Sequence, residues 1–83
     1  MADTRMVTVG PTWQLIVNSV DEVTISVFRG HYGEICRSTG VPPETLDGHE
    51  IDYFEPELST YRVSGEIYGR ARTSNNQMKL IIT

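Results

Sequence analysis

Short runs in which apolar and polar residues alternate dominate this chain. Every second residue is apolar in 23–27 and in 78–82. Because successive side chains of a β-strand point to opposite faces, this alternation predicts strands with one buried face. No window of the chain has the 3.6-residue apolar period of an amphipathic helix. The pattern therefore predicts an all-β protein.

Gly, Pro and Asn residues separate the alternating runs. Turns are predicted at 18–21, at Asp47-Gly48 and at Asn75-Asn76, where Gly and Asn tolerate positive φ. The proline-containing segment 39–43 is predicted to be a loop. The predicted strands are 6–9, 13–17, 22–28, 32–37, 49–54, 61–63 with 66–72 as one bent strand or two, and 77–83. This spacing favours a small antiparallel β-sandwich or barrel-like fold of about six to eight short strands.

The apolar positions of these strands define the expected core. The residues predicted to meet there are Trp13, Leu15, Val23, Ile25, Val27, Ile51, Ile67, Leu80 and Ile82.

The 83 residues predict one domain, 1–83, that begins with a short polar arm at about 1–5. A chain of this size buries only about 60–65% of its unfolded surface. Cys36 is the only cysteine, so no intrachain disulfide compensates for the small core. Oligomerisation is another way to stabilise a small scaffold, and we expect it here.

The formal net charge of −4 argues against general binding to nucleic acid, which needs an excess of Lys and Arg. Residues 1–6 lack the basic start and apolar run of a signal peptide. No apolar stretch approaches the roughly 20 residues that span a bilayer. We therefore expect synthesis in the cytoplasm, no membrane association, and release from the cell only by lysis.

The segment 63–71 organises the predicted fold because its two faces differ sharply. One face is apolar and shallow, with Gly65 and Gly69 among its members. Glycine in a strand often marks close approach by another layer. The other face is polar and carries Tyr68 and Arg70, followed by Arg72, and it is predicted to meet water or a partner.

Charge is divided between two parts of the chain. Acidic residues without Lys or Arg fill 44–57, whereas Arg and Lys prevail from residue 58 onward. Arg and Tyr are favoured at interfaces, and opposite charges attract between subunits. The alternative is that both sets are solvated. We predict a homo-oligomer whose interface residues are Tyr68, Arg70, Arg72, Glu50, Asp52 and Glu55.

Two sets of residues contain side chains that could ligate a metal ion. Asp47, Gly48, Glu50 and Asp52 resemble a fragment of a calcium loop, but the twelve-residue loop with two flanking helices is missing. The spacing of His31, Cys36 and His49 does not match the paired ligands of a zinc site. We expect no metal and no other cofactor.

Candidate catalytic groups are sparse. Cys36 could pair with His31 or His49, but no third group or oxyanion motif accompanies them. Free cysteine usually behaves as a small buried apolar residue. The carboxylates could act as a glycosidase pair, but so small a chain leaves little room for a deep cleft. We expect no enzymatic activity.

Four tyrosines offer a different possibility. If they lie exposed on one side, they could form a platform that binds carbohydrate or protein, because Tyr combines an apolar ring with a polar tip. The alternative is that Trp13 and some of the tyrosines fill a thin core. The four are Tyr32, Tyr53, Tyr61 and Tyr68.

A set of short motifs, taken in order, resembles small virion proteins of tailed bacteriophages. Each motif is weak alone, and the order and spacing over nearly the whole chain carry the resemblance. Gly69 departs from the pattern, since another small residue such as Ala is common there. The motifs are Val7-Thr-Val9, Thr12-Trp13, Val23-Thr-Ile25, Val41-Pro-Pro43, Gly48-His49 and Ile67-Tyr-Gly-Arg-Ala71.

This resemblance implies a non-enzymatic structural protein located in the virion. The first expectation is a capsid decoration or cement protein that binds the outer surface of the particle and stabilises it. The alternative is a β module that binds carbohydrate or a host surface, as part of a head fibre or a tail. The implied partners are the protein itself, as a trimer, and the major capsid or tail protein of the same particle.

Overall fold

In the computed structural model, which describes residues 4–52, 60–72 and 76–83, all regular structure is β. Six antiparallel strands form one sheet in the order β1-β6-β2-β5-β3-β4. The strands are β1 (Arg5–Val9), β2 (Gln14–Val27), β3 (Tyr32–Arg37), β4 (His49–Asp52), β5 (Thr60–Ala71) and β6 (Met78–Ile82). The all-β fold predicted from the sequence is confirmed. The described ranges contain no helix with the length and apolarity to cross a membrane.

The sheet curls so that one face encloses the core. The Ala71 amide at the end of β5 donates to the Gly10 carbonyl just after β1, at 2.7 Å, although two strands separate β1 from β5 in the sheet. Of the two predicted folds, the barrel-like one therefore describes this single curled sheet better than a sandwich of two separate layers. The buried core residues are Val9, Ile16, Val17, Ile25, Val27, Ile35, Ile51, Ile67, Ala71, Met78, Leu80 and Ile82.

The longest strand, β2, corrects two predictions. The prediction of a turn at 18–21 is wrong, because β2 continues through these residues. The register of β2 with β5 shifts between Ser19 and Val23. Val20 projects from this bulge and is 97% exposed. A second shift between Leu15 and Val17 turns Leu15 outward, at 50% exposure, and buries Ile16. Leu15 is therefore not a core residue as predicted, because bulges break the two-residue period.

Strand β5 is a single strand, and positive φ at Gly65 accompanies the change of register opposite β2. The predicted role of Asn76 is confirmed, with φ of 59° before β6. The strand predicted over 49–54 is described as far as Asp52, and the remainder lies outside the described residues. Arg5, at the end of the predicted polar arm, belongs to β1, and residues 1–3 of that arm lie outside the described residues.

Strands β3 and β4 are joined by an eleven-residue loop, residues 38–48. Its tight turn lies at Glu44-Thr45, where the Leu46 amide donates to the Pro43 carbonyl, and not at Asp47-Gly48 as predicted. Gly48 has another role: a Cβ there would lie 2.7 Å from the Ile35 carbonyl oxygen and 2.8 Å from the Trp13 ring. The glycine thus allows the loop to return closely against β3.

Candidate functional site

The outer face of β2, β5 and β3 carries a second buried cluster beneath the β3–β4 loop. Cross-strand pairing places Tyr68 between Leu15 and Cys36, and Arg70 opposite Glu34, all on the face away from the core. Four consecutive residues of β3, 33–36, are buried because the core covers one face and the loop the other. We call Trp13, Glu34, Cys36, Tyr68 and Arg70 the outer cluster; every member is at most 7% exposed.

Arg70 is the centre of this cluster. Its Nε donates to Glu34 Oε2 at 2.6 Å, and the two side chains are only 4% and 8% exposed. The Trp13 ring lies 4.4 Å from the guanidinium carbon, a cation–π contact. With its strong charge-assisted hydrogen bond and a stacked ring, Arg70 is engaged on both its edge and its face.

The same guanidinium holds the loop. Arg70 Nη1 donates to the Glu44 carbonyl at 2.8 Å, and Nη2 donates to the Leu46 carbonyl at 2.7 Å. Trp13 Nε1 donates to the Pro43 carbonyl at 3.2 Å. A single buried cation therefore fixes two loop residues to β5, while the ring stacked on it fixes a third.

These contacts correct the exposure expected for Tyr68 and Arg70. The sequence predicts a polar face open to water or a partner, but the loop covers it, leaving Arg70 3% and Tyr68 6% exposed. Arg70 pairs with Glu34, which the sequence analysis did not select. Of the other predicted interface residues, Glu55 lies outside the described part of the chain, and Arg72, Glu50 and Asp52 are exposed. The interface itself stays a prediction.

A second fastening point joins the loop to β5. The Glu66 carboxylate accepts a hydrogen bond from the Tyr68 hydroxyl at 2.6 Å and another from the Gly40 amide at 2.9 Å. The Tyr68 hydrogen bond first, and the Gly40 amide second, lower the pKa of Glu66 below its ordinary value of 4.5. The same bond to Glu66 raises the pKa of Tyr68 above its ordinary 10.0. Both shifts favour the bonded pair at neutral pH.

We expect the folded-state pKa of Glu66, followed by NMR of its side-chain carboxyl, to lie below 4.5 and to rise in Tyr68→Phe. Because the folded-state pKa is lowered, the contact stabilises the fold above pH 4.5, and this contribution is lost as the pH falls through the folded-state pKa. Tyr61→Phe, on the same strand but against the core, is the matched control and should leave the Glu66 titration unchanged. An unaltered Glu66 pKa in Tyr68→Phe would contradict the bond's role.

The cysteine and histidines considered for catalysis are placed differently. Cys36 and His49 both line a pocket of about 220 Å³ on β3, β4 and β5. Burial raises the pKa of Cys36, which favours the thiol, the weaker nucleophile. His31 lies elsewhere, where its Nδ1 accepts the Lys79 amide at 2.8 Å. The structure therefore brings together only Cys36 and His49 of the three.

The tyrosines also separate. Tyr68 belongs to the outer cluster and Tyr61 packs against the core, while Tyr32 is 46% exposed and Tyr53 lies outside the described residues. A platform of several tyrosines is therefore not present among the described ones. Across residues 4–52, 60–72 and 76–83, no group of three or more His, Cys, Asp or Glu side chains is arranged to hold a metal ion.

Comparison with protein-family models, with curated proteins and with solved structures found no match to this chain.

Proposed function

We propose that this protein is a structural component of a bacteriophage virion, a decoration protein that binds the outer surface of the particle. Two lines support the proposal. One is the ordered set of motifs that resembles small phage virion proteins. The other is the way in which the outer cluster fixes a loop with exposed apolar side chains, and this second observation carries the binding role.

Three exposed apolar side chains border the outer cluster, and we call them the loop face. Leu15 is 50% exposed and lies opposite Tyr68, and Val41 and Leu46 in the loop are 71% and 39% exposed. Val41 follows Gly40, which is bonded to Glu66, and Leu46 is held through its carbonyl by Arg70. A surface whose backbone is already fixed loses little conformational entropy on binding.

The buried ion pair suits this role better than it suits stability alone. A buried pair often contributes little net stability compared with apolar residues of similar size. Here its guanidinium also bonds two loop carbonyls, which an apolar side chain could not do. The pair therefore helps to fix the part of the loop that carries Leu46, and a fixed surface suits binding to a rigid repeating shell.

Mass spectrometry of tailed-phage particles purified from cells that make this chain is expected to find it in the particles. Purified protein should also bind particles that lack it, and Leu15→Ser with Val41→Ser should weaken that binding by about tenfold or more, because burial of each side chain contributes about 1.5–3 kcal/mol.

Met6→Ser is the matched control, since Met6 is 58% exposed but lies on β1, which carries none of the three loop-face residues. It should leave particle binding unchanged. Presence of the chain only in the lysate, never in purified particles, would contradict the proposal. Equal losses in the Met6 and loop-face variants would contradict the assignment of the surface.

The homo-oligomer, a trimer by resemblance, remains part of this proposal. After Tyr68 and Arg70 are assigned to the interior, Arg72, Glu50 and Asp52 are its described candidate interface residues.

A further inference from the structure

A second pocket, of about 230 Å³, lies at the end of the sheet formed by β3 and β4. It is formed by β3, by the edge strand β4 and by the residue that follows β5. It is lined by Tyr32, Gly33, Glu50, Ile51, Asp52 and Arg72. Its volume is below the roughly 300–1,000 Å³ of sites for drug-sized ligands, so it suits one small chemical unit.

The register of the sheet explains why these side chains meet. Tyr32 pairs with Asp52 across β3 and β4, and the Arg72 amide donates to the Tyr32 carbonyl at 3.0 Å. Paired residues of neighbouring strands project on the same face. Glu50 lies two residues from Asp52 and so projects on that face as well. An aromatic ring, a guanidinium and two carboxylates therefore surround one depression.

The polar groups of this pocket are of both kinds. Glu50 and Asp52 are exposed carboxylates, which accept hydrogen bonds. The Arg72 side chain is 51% exposed, and its Nη2 contacts Glu34 at 3.3 Å. Guanidinium carries five N–H donors, more than this one carboxylate oxygen can use. Donors and acceptors thus stand on opposite sides of the half-exposed Tyr32 ring.

This combination selects against simple ions. An anion that approaches Arg72 also meets Glu50 and Asp52, and a cation that approaches the carboxylates also meets Arg72. A zwitterion could satisfy both signs, but ion pairs at an exposed site contribute only about 0–1 kcal/mol. A neutral ring with several hydroxyl groups can donate to the carboxylates and accept from Arg72, and it can also cover the tyrosine ring.

We propose that the Tyr32 pocket is a carbohydrate-binding subsite for one pyranose unit. The apolar C–H face of the sugar stacks on the Tyr32 ring, its hydroxyls donate to Asp52 and Glu50, and another hydroxyl accepts from Arg72. This binding function goes beyond the proposed structural role and does not depend on it, and it assigns Arg72, Glu50 and Asp52 to a sugar in place of an interface between subunits.

NMR of the isotope-labelled protein tests the subsite with glucose, galactose, mannose, rhamnose and N-acetylglucosamine as single probes. We expect at least one sugar to give saturable shifts of the amides of Gly33, Ile51 and Asp52, with a dissociation constant in the millimolar range. Mannitol has hydroxyls but no ring to stack, and it should give no saturable shifts.

Matched variants separate stacking from hydrogen bonding. Tyr32→Ala should weaken binding by about tenfold or more, whereas Tyr32→Phe keeps the ring and should bind nearly as well as the unmodified protein. Asp52→Asn should also weaken binding. Phe28→Ala removes an aromatic ring of similar exposure, 39%, outside the pocket and should leave binding unchanged. If Tyr32→Ala fails to fold, Tyr32→Phe and Asp52→Asn still decide the result.

Several results would overturn the proposal. One is the absence of saturable shifts with all five sugars. Another is a response to glycine or lysine at the same amides in place of the sugars. Light scattering of the same samples gives a third: an oligomer that dissociates in Asp52→Asn and shows no sugar shifts assigns this surface to a second copy of the chain. Because the isolated protein is used, none of these results bears on binding to phage particles.

Discussion

Replacing Arg70 by alanine is expected to lower the free energy of unfolding by about 3–5 kcal/mol, the loss seen when one member of a buried ion pair is removed. The Glu34 carboxylate, 8% exposed, would lose its 2.6 Å partner and keep Arg72 at 3.3 Å. The Glu44 and Leu46 carbonyls would lose their donors as well. For a domain whose total stability is about 5–15 kcal/mol, this loss removes a large fraction.

Urea unfolding, followed by the fluorescence of the single tryptophan, measures this effect. Arg72→Ala is the control, because its side chain is half exposed and should contribute no more than about 1 kcal/mol. Replacing both partners, Arg70→Met with Glu34→Leu, should recover only part of the loss, because apolar residues of similar volume need no ionic partner but cannot donate to the Glu44 and Leu46 carbonyls. A loss below about 1 kcal/mol in Arg70→Ala would show that the pair does not hold the outer cluster.

Gly33→Ala is expected to be the other severely destabilising change, with a loss of about 3 kcal/mol, the upper part of the range for overpacking. A Cβ at this position would overlap the Arg70 carbonyl oxygen of the neighbouring strand and lie 2.7 Å from Met78 Sδ. The thioether can move, but the carbonyl belongs to β5 and cannot move without disturbing the pairing of β3 with β5.

Gly10→Ala provides the matched control for this prediction. A Cβ at Gly10 would lie 3.6 Å from the nearest atom, Gln14 Oε1, which is an ordinary contact. Neither Gly10 nor Gly33 has positive φ, so the two substitutions differ in space and not in backbone strain. The control should change stability by no more than about 0.5 kcal/mol. Equal thermal midpoints for the two variants would show that β3 can shift away from β5.

The strands with a regular two-residue period were predictable from the sequence. In β6, alternate burial of Met78, Leu80 and Ile82 follows directly from the order of residues. Strand β2 was harder to predict, because the polar residues of its bulge, Ser19 and Asp21, are of the types that also form turns. Only the partner strand shows that the chain continues, since the pairing resumes at Val23 opposite Val63.

The outer cluster could not be predicted from periodicity. Alternation correctly places Arg70 on the face away from the core, but a face away from the core is exposed only if nothing else covers it. The cover is the β3–β4 loop, and its position depends on contacts of Trp13 and Arg70, which are far apart in sequence. Two prolines and an early tryptophan are visible in the sequence, but their contact with β5 depends on the strand order.

The Tyr32 pocket lies between these cases. Their charges predicted Arg72, Glu50 and Asp52 at an interface between subunits. The aromatic ring and polar tip of Tyr32 indicated a place in a platform of tyrosines. The strand order puts β4 beside β3 and β3 beside β5, so one subunit already brings them together. Residue types were therefore informative, and the missing information was which strands are neighbours.

The pairing of the first described strand with the last has a consequence for synthesis on the ribosome. Among the described strands β1 pairs with β6 alone, and the Thr4 and Thr83 hydroxyls lie 3.2 Å apart. Until residues 78–82 emerge, β1 has no partner strand and β2 lacks one of its two neighbours. Pairing between strands that are far apart in sequence slows folding, and unpaired strands can associate with other chains. The nascent chain must therefore remain without its completed sheet until β6 is made.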